Sequence, residues 1–429
     1  MSQELLFAGT PGLTGGLVDA LHAEADAGGN TLRNAANQSA PSINIEIASG
    51  ARLTGLHSAW QDLCTRADAV NIFMNPVLVG LAAQAYPERR CRALLAWQND
   101  GVTPSRLLGI WAFSTERPPH SPVPSPMLCV PPIPNAYLST PVIDRHYLDT
   151  VLAAMITHIA GNKDLPNIVA LDAMGEGSAT MQALVRVLQS RRSAPFVFSR
   201  SRRPHLASAL EGKAYLEQAF SSSTRKKLRQ HRRRLAAKGE LKSVVVSEPT
   251  AVRTVIDDFL KLEASGWKGR EGNAILNYPA RAQFARAMIG ALADQGQAAI
   301  HMLTLDGRPV SMQIVLRAGT CAFTWKTAYD ETLQDVSPGM LLLEDYTVAL
   351  LADPNVSDVD SCSFDDSGYM AAWTERAEIS NLWFDVRHGG SLSFFILSRA
   401  QNVYLGLRNR VKTMYHEFQK RKLAPKKTN

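Results

Sequence analysis

Residues 337–339 open a segment whose residue types and spacing suit ligand binding. The sequence Ser337-Pro338-Gly339 follows a strand-like stretch that ends at Tyr329, and it precedes an apolar helical pattern. Ser337 suits the N-cap of this helix, and Pro338 suits its first turn, where the missing N–H of proline is not needed. Gly339 places no side chain between a ligand and the first-turn amides. Free N–H groups at the positive end of a helix dipole form a ready anion site, so the segment predicts one; the alternative is a well-capped helix that binds nothing.

Residues 221–242 carry the strongest charge pattern in the chain. They contain nine Lys and Arg residues against one Glu, in a chain of 429 residues with a formal charge of +7 and a pI of about 9.2. A helix is predicted here, with Ser222 or Ser223 as its N-cap and its leucines turned inward. Its exposed surface would carry Arg225, Lys226, Arg229, Arg232 and Arg233. The basic helix at 225–238 therefore fits an anionic partner such as a nucleotide cofactor, tRNA or an acidic membrane surface, unless it is only a solvated face; no RNA-recognition motif accompanies it.

Composition excludes several classes of protein. The chain is 45% hydrophobic and 20% charged, a balance typical of globular proteins with sizeable cores. No apolar run is long enough to span a membrane, and the start lacks a secretory signal pattern, which predicts a cytoplasmic protein or one peripheral to the inner membrane. The five cysteines are scattered, without a CxxC pair or a zinc-type Cys/His spacing. Neither a disulfide framework nor a metal site is therefore predicted.

A hairpin and the strand after it must position the residues that precede the 337–339 segment. Two strands are predicted to meet at Asp306-Gly307, a strong hairpin turn signal, and a third strand, CAFTWKTAYD, follows. Because side chains alternate along a strand, Lys326 and Ala328 are expected on one face and Trp325 and Thr327 on the other. One set would then face a site and the other the core.

The order of elements divides the chain into two similar halves. Residues 1–40 are rich in Gly, Ala and Asn and are expected to be mostly disordered. Residues 41–203 and 204–395 each run strand, helix, hairpin, helix, strand, which favours two copies of one fold. The proline-rich stretch at 118–135 is expected to be a loop or an extended edge, because proline lacks the donor that regular structure needs. Residues 396–429 are expected to form a long basic helix and tail.

Four stretches between residues 220 and 386 carry a family likeness. They read TRKKLRQHRRRLAAKGEL; FLKLEASGWKGREGNAI; LDGRPVSMQIVLRAGTCAFTWKTAYDE running into SPGMLLLEDYTVALL; and VDSCSFDDSGYMAAWTER. In their order and spacing they resemble the GNAT-superfamily acetyltransferases of the cellulose-biosynthesis CelD-like type. That family is similar in fold to the Fem peptidoglycan aminoacyltransferases, which carry tandem GNAT-like domains.

The resemblance implies both a fold and a reaction. The fold would be α/β (α+β), with tandem GNAT-like domains built on mixed β-sheets flanked by helices, plus a long basic C-terminal helix. The reaction would be acyl transfer from acetyl-CoA or another acyl-CoA. An amine or hydroxyl of a polysaccharide or other cell-envelope precursor would attack directly, without an acyl-enzyme.

The resemblance also implies roles for particular residues. A backbone N–H between Thr327 and Tyr329 would meet the developing oxyanion. The expected catalytic side chains are Lys326, Tyr329 and, as the base, Asp365 or Asp366. The residues expected to hold the CoA pyrophosphate or pantetheine are Ala328, Ser337, Gly339, Met340, Leu341, Arg229 and Arg233. The residues expected to border the acceptor are Trp267, Lys268, Arg270, Trp325 and Tyr369.

Each of these roles has a plainer alternative. Lys326 suits an exposed strand, Tyr329 a packed strand aromatic, and the Asp pair a turn. The family usually places a Lys after the Tyr of the last stretch, whereas Met370 follows Tyr369 here, so one cationic contact to the substrate is lost. Two other functions stay open: a Fem-like aminoacyltransferase that uses aminoacyl-tRNA, and a non-catalytic binding subunit with the same fold.

Overall fold

A mixed β-sheet of thirteen strands runs through the described part of the chain. The structure, a computed structural model, describes residues 42–423 except 100–105, 119–120, 123–124 and 364–365. The expected disordered segment at 1–40 and the candidate base Asp365 lie outside the described residues. Helices cover both faces of the sheet, which confirms the expected fold class of a mixed sheet flanked by helices.

The first half of the described chain contributes the strands at one end of the sheet. These are β1 Ser42–Ala48, β2 Arg92–Asn99, β3 Leu107–Glu116, β4 Met127–Cys129, β5 Val142–Ile143, β6 Ile168–Gly175 and β7 Phe196–Leu206. The helices are α1 Ala51–Thr54, α2 His57–Arg66, α3 Pro76–Ala85, α4 Leu148–Gly161 and α5 Ala179–Ser190. Short 3₁₀ turns occupy Ile72–Met74 and Pro87–Arg89.

The second half repeats this scheme from the other end of the sheet. Its strands are β8 Leu241–Val246, β9 Ala298–Leu305, β10 Arg308–Ala318, β11 Cys321–Tyr329, β12 Asp358–Asp360 and β13 Glu375–Asp385. Its helices are α6 Gly212–Ala219, α7 Ser222–Ala236, α8 Pro249–Ser265, α9 Trp267–Arg270, α10 Pro279–Asp294, α11 Pro338–Ala352 and α12 Leu392–Leu423. Further 3₁₀ turns occupy Ile275–Asn277, Glu331–Val336 and Tyr369–Ala372.

The two halves are built alike and exchange their last strands. The strand order is β1-β2-β3-β4-β6-β13-β7-β12-β11-β10-β9-β8, with β5 paired to β3. In each half, four antiparallel strands lead to one parallel pair, β4 with β6 and β11 with β12. The strand β7, from the first half, pairs with β12, whereas β13, from the second half, pairs with β6. The expected boundary between residues 203 and 204 falls inside β7, and its exact place stays a prediction.

The sheet separates two layers of core. On one face, the largest cluster includes Phe259 of α8, Phe284 of α10 and Leu316 of β10. On the other face, a second cluster contains Val315 of β10, the α11 leucines and Trp373. Because Val315 and Leu316 are neighbours on one strand, their side chains point to opposite faces, which fixes the assignment of the two clusters.

Local signals account for several elements as expected. The β9–β10 hairpin turns at Asp306 and Gly307, both with positive φ (50° and 78°), as a two-residue turn of this sequence requires. Pro249 begins α8 directly after Glu248, whose carboxylate accepts the N–H groups of Thr250 and Ala251. These contacts satisfy amides that the first helical turn leaves unpaired.

Two expectations about elements are wrong. The proline-rich stretch at 118–135 contains β4, which pairs with both β3 and β6 and lies inside the sheet, because Met127–Cys129 is free of proline. The N-cap of α7 is Ser221, not Ser222 or Ser223, since the Ser221 hydroxyl accepts the Thr224 N–H at 3.1 Å. In addition, α3 was not predicted from the sequence.

Candidate functional site

A gap between two parallel strands forms the centre of the candidate site. The strand β12 pairs with β11 from Cys321 to Phe323, but β11 continues to Tyr329. Beyond Asp360, the Cys362 N–H donates to the Asp360 carboxylate at 2.8 Å, and Cys362 has a φ of 52°. The chain therefore turns away after β12, and the second part of β11 has an edge with no strand beside it among the described residues.

The backbone of β11 directs two N–H groups toward this open edge. The Asp330 N–H donates to the Val310 carbonyl of β10 at 2.9 Å. Since N–H and C=O groups alternate between the two edges of a strand, the amides of Tyr329 and Thr327 point away from β10. The Thr327 carbonyl confirms the direction, because it accepts from the Lys268 ammonium at 3.0 Å instead of from β10.

A bulge in β11 changes which side chains share a face. Ile314 pairs with Lys326 and Leu316 with Phe323, so β11 holds one extra residue there. Trp325 and Lys326 consequently line the same small pocket, with Phe284 and Arg281. The expected separation of Trp325 from Lys326 is wrong for this reason, whereas Lys326 and Ala328 do share a face.

The start of α11 lies against the end of β11. A Cβ added to Gly339 would lie 3.7 Å from Cδ1 of Tyr329, which is ordinary contact. Ser337 occupies the N-cap position with φ 48° and ψ 59°, and its side chain makes no capping hydrogen bond, contrary to expectation. The N–H groups of Met340 and Leu341 both donate to the Ser337 carbonyl, at 3.0 and 3.2 Å.

These bonds restrict the anion site at α11 to one amide. Pro338 has no N–H, and the amides of Met340 and Leu341 are engaged. Gly339 is left as the first-turn residue whose N–H has no hydrogen-bond partner in the described chain. It lies beside Tyr329, whose own amide faces the open edge of β11.

The basic helix α7 lies alongside this helix start. The Arg232 guanidinium donates to the Leu341 carbonyl at 3.1 Å and to the Asp345 carboxylate at 2.7 Å. Arg234 pairs with Asp335, just before α11, at 2.6 Å. Arg229 and Arg233 remain exposed on the same helix. The positive charge of α7 therefore surrounds the end of α11 that already favours an anion.

A buried ion cluster lies on the other face of the sheet. Glu263 of α8 is 3% exposed and accepts from the Lys268 ammonium at 3.2 Å and from the Ile275 N–H at 2.9 Å. The Lys326 ammonium lies 3.6 Å from the same Glu263 oxygen. Burial lowers the pKa of Lys326 to about 8, although the nearby Glu263 carboxylate acts in the opposite direction.

The α9 segment lies against the end of β11. Glu331 accepts from the Trp267 N–H and from the Arg270 guanidinium, each at 2.6 Å. The Trp267 side chain is 41% exposed beside them. Arg270 is thus already paired with a carboxylate, while Lys268 bridges Glu263 and the Thr327 carbonyl.

Of the candidate bases, the described residues include one. Asp366 pairs with Arg376 at 2.5 Å and is 43% exposed, which suits a turn-stabilising role. Tyr369 donates to the Gln313 side chain at 3.4 Å on the α11 face, and burial raises the pKa of its hydroxyl to about 12. The structure therefore brings Tyr369 close to Thr327 but leaves Asp366 bound to Arg376.

Sequence reasoning missed Glu263, although a signal was present. The apolar positions of α8, Val252, Ile256, Phe259 and Leu260, fall on one helical face, and Glu263 continues it at the next turn. A charged residue within an apolar stripe is rarely buried unless it is paired.

No group of side chains among the described residues is suited to hold a metal ion.

Comparisons with known proteins relate this chain to one family model and to several solved structures. Residues 222–362, which include α7, β11, α11 and β12, match the family model of the acetyltransferase (GNAT) domain. The crystal structure of FemX shares the fold at 11% identity and a TM-score of 0.53, covering 78% of this chain and 96% of FemX. No curated protein matches the sequence.

Two further solved structures show weaker likeness. One is a domain of a putative lysylphosphatidylglycerol synthetase from Agrobacterium fabrum, at 12% identity and a TM-score of 0.46, covering 77% of this chain and 92% of that one. The other is a tandem GNAT protein from the clavulanic acid pathway, at 12% identity and a TM-score of 0.40, covering 82% and 99%. Residues 222–362 are thus similar to the GNAT acetyltransferase domain, and the chain shares its fold with FemX.

Proposed function

We propose that this chain transfers an acyl group from a coenzyme A thioester to an amine or hydroxyl of a saccharide or other cell-envelope precursor. The observation that carries the proposal is the separation of β11 from β12 beside the unpaired N–H of Gly339. An open strand edge, a helix start without a side-chain cap and an adjoining basic helix together fit a ligand that has both amide-like and phosphate groups.

We assign binding of the donor to residues on the α11 face of the sheet and contact with the reacting carbonyl to the open edge of β11. On the α11 face, the Gly339 amide and the exposed Arg229 and Arg233 of α7 would hold the phosphates of coenzyme A. At the edge, the amides of Thr327 and Tyr329 point to where charge develops on a carbonyl oxygen, a contact worth about 3 kcal/mol per donor. When bound, the acyl-CoA supplies an activated thioester.

The acceptor would approach from the α9 face. Trp267 presents an exposed ring there, which suits stacking on a sugar. The lowered pKa of Lys326 leaves a fraction of its amine neutral near neutral pH, which suits proton transfer. Tyr329 stays a candidate proton donor at the end of β11. Asp365 stays a candidate base by its place in the sequence.

The basic face of α7 favours a second donor, aminoacyl-tRNA, because exposed Lys and Arg residues bind phosphates without sequence preference. A non-catalytic binding subunit is the third possibility. A binding titration distinguishes these three functions. Binding of acetyl-CoA supports the first function, the transferase that uses coenzyme A. Binding of tRNA that falls steeply with salt supports the second, and binding of neither supports the third.

The test of the proposal is a pair of substitutions at Gly339. In Gly339→Ala, the added Cβ fits at 3.7 Å from Tyr329, so acetyl-CoA binding should change by less than about threefold. In Gly339→Val, two further methyl groups cover the open amide. Isothermal titration with acetyl-CoA should then show affinity reduced by about a hundredfold.

Both variants should keep the thermal unfolding transition of the parent, which separates loss of binding from loss of fold. Equal acetyl-CoA affinity in the parent and in Gly339→Val would show that the helix start does not meet the donor. In that case the proposed site is wrong.

A further inference from the structure

The helix α12 exposes an apolar stripe that no other described part of the chain covers. Leu392 is 75% exposed, Ile396 56% and Val403 63%, and the series continues through Leu407, Val411 and Met414, each at least 56% exposed. These positions recur at intervals of three, four or seven residues, so they lie along one side of the helix. Six large apolar side chains in a row are unusual on a solvent-exposed surface.

The stripe is not the side by which α12 packs on the sheet. The buried positions near its start are Leu397 and Gln401, and Leu397 contacts the cluster of Trp383 and Met127. From Asn402 to Met414, none of the side chains that the structure describes is buried. Within the described ranges, the second part of α12 therefore projects from the sheet, and no other segment covers its apolar side.

Charge identifies the kind of surface that fits this helix. The α12 sequence contains seven Lys and Arg residues and one Glu. Arg399 and Arg410 lie along one edge of the apolar stripe on the helical projection, where long basic side chains can extend outward from a buried apolar face. A basic amphipathic helix of this kind lies in the plane of a membrane interface and is attracted to anionic lipids.

We propose that α12 binds the surface of an anionic phospholipid bilayer, with its apolar stripe inserted below the headgroups. A second copy of the chain is a poorer partner, because pairing two helices that each carry seven cations and one anion brings like charges together. An RNA is also a poorer partner, because phosphates would contact the basic residues and leave the stripe in water. An anionic bilayer can bury the apolar stripe and also attract the basic side chains of α12.

The test uses the full-length chain and sedimentation with lipid vesicles. Vesicles of equal parts phosphatidylglycerol and phosphatidylcholine should bind the protein, and pure phosphatidylcholine should bind it much more weakly. The double variant Leu407→Glu with Val411→Glu should weaken binding to the anionic vesicles by about tenfold or more, because it removes apolar contacts and adds negative charge.

A matched variant separates insertion from simple attraction of charge. Asn402→Glu with Asn409→Glu adds the same charge on the opposite, exposed side of the helix, so it should retain most of the binding. Equal loss in both variants would overturn insertion of the stripe. A parent protein that is dimeric by analytical ultracentrifugation, together with a monomeric Leu407/Val411 variant, would indicate that the stripe binds a second copy of the chain and would overturn the proposal. Binding of tRNA without binding of vesicles would overturn it as well.

The result is independent of the proposed acyl transfer. Both variants should bind acetyl-CoA as the parent does and unfold at the same temperature, because their substitutions lie on the projecting part of α12. A failure of vesicle binding therefore leaves the site at β11 untouched.

Discussion

The Lys326 ammonium is held at a buried carboxylate that it shares with a second lysine. One Glu263 side chain thus faces two cations, with the Ile275 amide as an additional donor. Taking ions out of water costs several kcal/mol, and attraction between them offsets this only when the geometry is good. Burial is the main cause that lowers the pKa of Lys326, and the neighbouring Lys268 charge lowers it further, whereas the Glu263 carboxylate raises it.

This arrangement predicts a pH-dependent stability. The pKa of Lys326 is about 8 in the folded chain, compared with an ordinary value of 10.5. Between these values the unfolded chain keeps a proton that the folded chain has lost, so stability rises with pH. Relative to Lys326→Met, the parent should gain about 2 kcal/mol in free energy of unfolding between about pH 7.5 and pH 10.

The measurement is urea unfolding of both proteins across that pH range. Lys261→Met is the control, because Lys261 lies on α8, the helix that carries Glu263, and its side chain is 73% exposed. If the free energies of unfolding of the parent and of Lys326→Met change with pH in parallel over the whole range, the result would contradict the lowered pKa of Lys326.

At the scale of elements, the sequence predicts those parts that depend on local signals. The Asp306-Gly307 turn, the run to Tyr329 and the helix at Pro338 are all where the pattern placed them. The bulge beside Lys326 escaped prediction, because it exists only through the pairing of β11 with β10. The same holds for β4, whose three residues are a strand only because β3 and β6 lie on either side of it.

The start of α7 gives a direct test of an element boundary. Ser221 caps the helix, and Ser222 is its first residue. Ser221→Ala should lower the free energy of unfolding by about 1 kcal/mol, because the Thr224 N–H loses its acceptor. Ser222→Ala replaces an exposed serine with a better helix former and should not lower it. Urea unfolding of the two variants compares them, and a larger loss in Ser222→Ala would place the cap at Ser222, as the sequence suggested.

At the scale of the whole molecule, the sequence predicts that the two halves repeat one order of elements, but it does not predict that they exchange the strands β7 and β13. The two halves share an order of elements that is visible in the sequence. The pairing of β7 with β12 and of β13 with β6 joins residues far apart in the chain, and no local pattern specifies it. The buried Arg203 of β7 strengthens the connection, since it bonds both the Asp360 carboxylate and the Tyr137 carbonyl.

The exchange predicts that the two halves cannot separate without unfolding. A protease recognition sequence placed between Ser208 and Glu211, in the exposed segment after β7, allows the intact protein to be cut there. The two fragments should stay together through size-exclusion chromatography in buffer, because each contributes a strand to the sheet of the other. They should part only in denaturant, since release exposes the edges of β6 and β12 together with the apolar faces beside them. Two folded fragments that migrate separately after cutting would mean that the halves are independent domains joined side by side.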